Sequence, residues 1–176
     1  MANCRFFVLV LMVLYSGCLF RWGTEIRPLV IEESPFKECC SKNMQQAKIF
    51  IQQRSLDEAQ KLAIQNAKNE LLNRVLKKID AIFGRCGIYD HYINGLIKKD
   101  VQRSFDKQTI LLNTIVKPEG YLYILISTDF SSISEILKNN IPAYLRTDFN
   151  KWMEFKENVG LKFLHEQISD EFTIRG

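Results

Sequence analysis

Thiols and imidazoles are the side chains here best suited to covalent, metal or proton-transfer chemistry, and the 176-residue chain holds five cysteines and two histidines. Cys39 and Cys40 are adjacent, and Cys86 stands alone downstream. In an oxidising compartment one of the pair can join Cys86 as a disulfide. The odd thiol is then left for an intermolecular bond or for reaction. Burial as small apolar side chains fits the same residues. A zinc site fits poorly, because adjacent cysteines lack the usual ligand spacing and His91 and His165 lie far off in sequence. His91 follows Tyr89-Asp90, and an imidazole beside a carboxylate is the makings of a general base. A histidine in a polar segment is more commonly just solvated. The sequence contains no P-loop, no Rossmann glycine fingerprint, no nucleophile elbow and no zincin motif. No catalytic residue, metal ligand or cofactor is therefore assigned, and the expectation is a protein that is not an enzyme.

Cys18 closes a segment of different character. Residues 1–5 are short and carry Arg5, residues 6–15 (FFVLVLMVLY) are unbroken apolar sequence, and Ser16-Gly17-Cys18 follow. This is the three-part layout of a secretory signal. Even extended to Phe20 the apolar run is shorter than the ~20 residues of a membrane-spanning helix. An uncleaved signal-anchor is the alternative. Leu14-Tyr15-Ser16-Gly17-Cys18 resembles the lipobox of bacterial lipoproteins, with Ser16, Gly17 and Cys18 in place, Leu14 one position early and Tyr15 where a smaller aliphatic residue is usual. The resemblance implies cleavage after residue 17 and acylation of Cys18. The partner it implies is membrane lipid, gripped by N-terminal acyl chains. Each buried CH₂ adds about 0.8 kcal/mol, so several chains are needed for a stable anchor. Leu19, in place of an aspartate, points by analogy to the outer membrane.

Composition excludes other classes. Apolar residues make up 47% and charged residues 25%, which is globular. The net charge of +4 includes Arg5 of the leader, and the basic pairs Lys77-Lys78 and Lys98-Lys99 are isolated. Nucleic-acid binders concentrate such charge on one face, so no nucleic-acid partner is expected.

The elements that must position these residues follow from periodicity. Residues 18–45 read as a lipid-anchored tether, in which residues 27–31 (RPLVI) suit an edge strand and Ser34-Pro35 interrupts any helix. Residues 46–176 read as one domain. Residues 48–52 form a strand. Ser55-Leu56-Asp57-Glu58 is a capping box that opens a helix to about Ile82, stopped by Gly84. Its core stripe is Ala59, Ala63 and Ala67, with Leu56, Leu71, Val75, Ile79 and Phe83 near the same face. Ile88, Tyr92, Leu96 and Val101 outline a second helix, weakened by Gly87 and Gly95. Residues 110–116 and 121–128 flank Lys117-Pro118-Glu119-Gly120 as a hairpin. Its second strand is apolar on both faces, which predicts a central position. Tyr121 and Tyr123 share one face, either as an aromatic partner-binding surface or buried under the second helix. A capping box at Ser132-Ile133-Ser134-Glu135 opens a helix closed by Asn139-Asn140. Pro142 then starts a further helix through Leu145, Phe149, Trp152, Phe155, Val159 and Phe163, kinked at Gly160. The fold class is α+β: a small antiparallel sheet backed by a long alanine-striped helix, with an additional C-terminal helix.

This order resembles the LPP-twenty type of bacterial lipoprotein and the related N-terminal domain of flagellar assembly protein T. The matching residues are Ile49-Phe50-Ile51, Asp57-Glu58-Ala59 with Ala63 and Ala67, and Glu119-Gly120-Tyr121-Leu122-Tyr123-Ile124-Leu125-Ile126, within roughly residues 46 to 138. Gln52-Gln53-Arg54 replaces the family's glycine-rich turn, and the C-terminal helix lies outside the match. The resemblance implies a small sheet backed by a helix and held in the cell envelope, with no enzymatic activity and no ligand residues. The expected function is a non-catalytic envelope lipoprotein that binds another envelope protein or itself, in envelope or flagellar assembly. The alternatives are an envelope enzyme with an unrecognised site and a secreted, unlipidated protein paired through Cys39, Cys40 or Cys86.

Overall fold

A computed structural model describes residues 35–36, 41–51 and 54–173. The leader, Cys18, Cys39, Cys40 and the strand expected at residues 27–31 lie outside the described residues. Among those described are three strands and five helices.

The first strand, β1 (Met44–Phe50), starts two residues inside the segment expected to be tether. It also ends two residues earlier than expected, at Phe50. The Ile51 N–H donates to the Gly120 carbonyl at 2.8 Å, which ends the pairing at the hairpin turn. The first helix, α1 (Leu56–Arg85), opens with the expected capping box: the Glu58 N–H donates to Ser55 Oγ at 3.2 Å, and the Ser55 N–H to Glu58 Oε2 at 3.1 Å. Ala59, Ala63, Ala67, Leu71, Val75 and Ile79 are wholly buried. Leu56 belongs to the first turn, ahead of that stripe, and is exposed.

The helix runs through Gly84, and the glycine that stops it is Gly87, with φ of +61°. The Ile88 N–H donates to the Phe83 carbonyl (2.9 Å) and the Gly87 N–H to the Gly84 carbonyl (3.2 Å). That bond pair is a Schellman termination, which needs a left-handed residue just past the helix rather than a glycine inside it.

The next helix, α2 (His91–Gln108), is capped by Asp90, which accepts from the Tyr92 and Ile93 N–H groups. Its buried face is Ile93, Ile97, Val101 and Phe105. The expected face was rotated: only Ile88, which precedes the helix, and Val101 are buried, and Tyr92 is largely exposed. The hairpin strands β2 (Ile110–Val116) and β3 (Tyr121–Ser127) fall where the turn chemistry put them. The sheet order is β1-β3-β2, all antiparallel, so β3 is central as its two apolar faces require. A bulge interrupts β2 between Leu111 and Asn113. The turn closes through Gly120 at φ +83°, and the Phe50 ring rests 3.1 Å from where a Cβ there would be.

The chain's later helices differ from expectation at their ends. Helix α3 (Phe130–Leu145) is capped by Asp129 rather than Ser132, with the Ser131 N–H and Oγ both donating to its carboxylate. Asn139-Asn140 does not close it. The Asn140 amide donates to Asp100 on α2 (2.9 Å) instead of to its own backbone. Pro142 therefore lies inside α3, where its missing N–H leaves one helical bond unmade. The helix expected from Pro142 through Phe163 is instead the end of α3, then α4 (Phe149–Asn158) and α5 (Gly160–Phe172): a turn over residues 146–148 breaks it where Asp148 caps α4, and Gly160 at φ +77° breaks it again. Phe149 and Phe163 are exposed, and Phe155, Leu164, Ile168 and Phe172 face the core.

Helix α1 packs on β1 and β3, α2 packs on α3, and α3 packs on α5. Leu122, Ile124 and Ile126 of β3 join one apolar core with residues of all five helices. The other face of β3 holds a small second cluster of Phe36, Tyr123 and Leu125, flanked by Met44, Ile115 and Tyr121.

Candidate functional site

The best-formed cavity is a cleft of about 510 Å³ where the end of α1 meets α4. Its apolar floor includes Ile88, Leu145, Phe155 and Val159, with Cys86 beside them. The Schellman turn at Gly87 swings the chain out of α1, so that Asp90 can cap α2 at the rim. Asp148 caps α4 in the same manner, accepting from the Asn150 and Lys151 N–H groups. Lys151, in the first turn of α4, donates its Nζ to Asp90 Oδ2 and also lies 3.6 Å from Asp148. Glu154 and Asn158 complete the polar rim.

Asp90, Lys151 and Cys86 are each shifted away from neutral pH. The Lys151 ammonium, with the Ile93 and Tyr92 N–H groups, keeps the Asp90 carboxyl below its usual range. Asp90 in turn raises Lys151. Burial pushes the Cys86 thiol up, and the nearby Arg85 opposes this only in part. Cys86 is therefore a buried thiol, 1% exposed, rather than a thiolate nucleophile. A depressed carboxylate is a weak proton acceptor at neutral pH, and a raised lysine stays charged. The cleft can seat an apolar group and present fixed charge to its polar end.

The sequence-derived candidates separate in space. His91 is the first residue of α2 and is exposed, and its neighbours Tyr89 and Asp90, not His91 itself, line the cleft. Cys86 lies in the cleft, unpaired among the described residues. Tyr121 and Tyr123 are brought together on the outer face of the sheet, remote from it in topology. They are not buried under α2, as the burial reading had it. Strand alternation sends Leu122 and Ile124 to the helices and the tyrosines the opposite way, where Phe36 packs on them. Tyr123 is buried, and Tyr121 stays half-buried with Lys48 Nζ 4.0 Å from its ring centroid and the Phe50 ring at 4.9 Å. Lys117 lies 5.3 Å from the Tyr123 ring. Cation–π contacts of this kind suit a partly wet surface.

Lys151, Glu154 and Phe155 were missed at the sequence level. They reach the cleft only through tertiary placement of α4, which packs on α3 and α5 and faces the turn that follows α1. Asp90, Asp129 and Asp148 each precede a helix, and that signal was readable. Among the described residues no cluster of three or more His, Cys, Asp or Glu could hold a metal ion. Nor is any described helix long and apolar enough to cross a membrane. The fold defines an α+β domain with its helices on one face of a three-stranded sheet. No family model matches the chain, and no curated protein matches it.

Proposed function

We propose that this chain is a non-catalytic binding module of the bacterial cell envelope, exported by residues 1–17 and held to the outer membrane by acyl chains on Cys18. The domain recruits an envelope protein or a second copy of itself, in envelope or flagellar assembly. The observation that supports the binding reading is the geometry of the cleft: Ile88, Leu145, Phe155 and Val159 lie beneath a rim whose Asp90 and Lys151 are already paired with each other. An apolar floor with a pre-paired ionic rim suits recognition. The anchor reading rests on the leader and on the small residues before Cys18.

Mass spectrometry of the mature N-terminus, with labelling by a radioactive fatty acid, tests the anchor. The expected product starts at Cys18, carries the label, and loses it in Cys18→Ala. Mature protein that retains residues 1–17, or never labels, would refute the anchor.

A further inference from the structure

The two long edges of the sheet are finished differently. On β1, Arg74 of α1 donates to the Met44 carbonyl at 2.7 Å, and the Gln45 amide donates to Glu70 at the same margin. The β2 edge has no such cover among the described residues. Its sequence, ILLNTIV, holds no charge and no proline. Ile110, Leu111, Leu112 and Val116 are each more than 40% exposed. They lie on both faces, since Val116 pairs with Leu122 on the helix side and Ile110 with Ser127 on the outer side. Natural sheets guard such edges with lysine, proline or a bulge, because unpaired backbone groups on a flat apolar strand recruit another strand. Here, among the described residues, the bulge at Leu111/Asn113 is joined only by Asn113 Oδ1, which accepts from the Thr114 N–H at 2.7 Å. It bends the first part of β2 and leaves the ladder regular from Asn113 to Val116.

We infer that β2 is a homodimerisation edge, at which two copies pair antiparallel about a two-fold axis and extend the sheet from three strands to six. Self-pairing suits an uncharged strand, because a two-fold axis sets each residue type beside its own copy's strand without like-charge conflict. The charges at the two ends of β2 select the direction. Lys107 lies just before the strand and Glu119 just after it, and neither makes an ion pair among the described residues. Antiparallel pairing brings the start of one copy's strand to the finish of the other's, so Lys107 of each meets Glu119 of its mate. Parallel pairing sets lysine against lysine and glutamate against glutamate. A seven-residue strand offers about 23 Å of backbone for the ladder. The exposed leucines and valine at its margins add the apolar contact that strand addition needs. The inference deepens the self-association arm of the proposed function, and because it uses neither the cleft nor the anchor, its failure leaves the anchor test untouched.

The test uses the full chain in cells that co-express two differently tagged copies, one with a photoreactive phenylalanine derivative in place of Leu112. Illumination is expected to link the two tagged copies, with the joined peptides coming from β2 on both sides. Leu111→Lys with Val116→Lys is expected to reduce the linked product at least roughly tenfold while the thermal midpoint barely moves, since both side chains are exposed. Lys107→Glu is expected to weaken linkage, and Lys107→Glu combined with Glu119→Lys to restore it. The inference is overturned if copies never link, if Leu112 links only to a different protein, or if the double lysine variant links as well as the parent.

Discussion

On one face of β3, Leu122, Ile124 and Ile126 are wholly buried in a core that draws on all five helices, whereas on the other, among the described residues, Tyr123 and Leu125 cluster with Phe36, Met44, Ile115 and Tyr121. The side chains are almost equally hidden, yet what hides them differs in depth. Fractional burial therefore says little here about energetic weight. Behind Ile124 lies close-packed helix, which cannot relax into a void. Around Leu125 the described neighbours are Phe36 and two tyrosines with lysines beside them, and no described helix packs there.

Substitutions on either side put that contrast to measurement. Ile124→Ala leaves a cavity between sheet and α1, and a loss of about 4 kcal/mol is expected from urea unfolding. Phe36→Ala strips the outer cluster, and the same measurement is expected to give about 1–2 kcal/mol, because the small cluster can collapse. Equal losses from the two would mean that the outer cluster is as rigid as the main core. The mildest change touches neither face. Asp90→Asn keeps an equally good helix cap but gives up the charge that meets Lys151 at the surface, so the smallest loss of the three is expected. Asp90 has a lowered folded pKa, so its contribution is complete above the unfolded value of about 3.9 and is lost as the pH falls through the lower folded value. The difference between parent and Asp90→Asn is thus expected at pH 7 and expected to shrink as the pH falls below the unfolded value and through the lower folded one. A gap that persists in acid would assign the effect to something other than the charge.

The parts of the fold that were legible in the sequence are those written locally. The hairpin lies in seven-residue strands around a Pro-Glu-Gly turn, and the alanine stripe repeats every fourth residue, so neither needed distant partners to be seen. The rest depended on choices among similar signals. Gly84 and Gly87 look alike in sequence, and only the backbone shows that Gly87 takes the left-handed conformation. Ser132 and Asp129 are both good caps, and Asp129 wins because it gathers donors from Ser131 and Ser132 together. Asn140 and Pro142 read as helix breakers, but contacts to Asp100 and burial hold α3 together across them. The cleft was the least legible, since Cys86 and Asp90 come from one segment and Lys151 and Phe155 from another.

The pairing of β1 with β3 sets Phe50 against Tyr121, with Gly120 leaving room for the ring. Translation makes the strand at one side of the sheet long before the strand at its middle. A nascent chain halted anywhere short of Tyr121 holds β1 with no neighbour to pair with, while α1 and α2 can already wind from local bonds. Closure of the sheet is therefore a late, long-range event, the kind of step that slows folding.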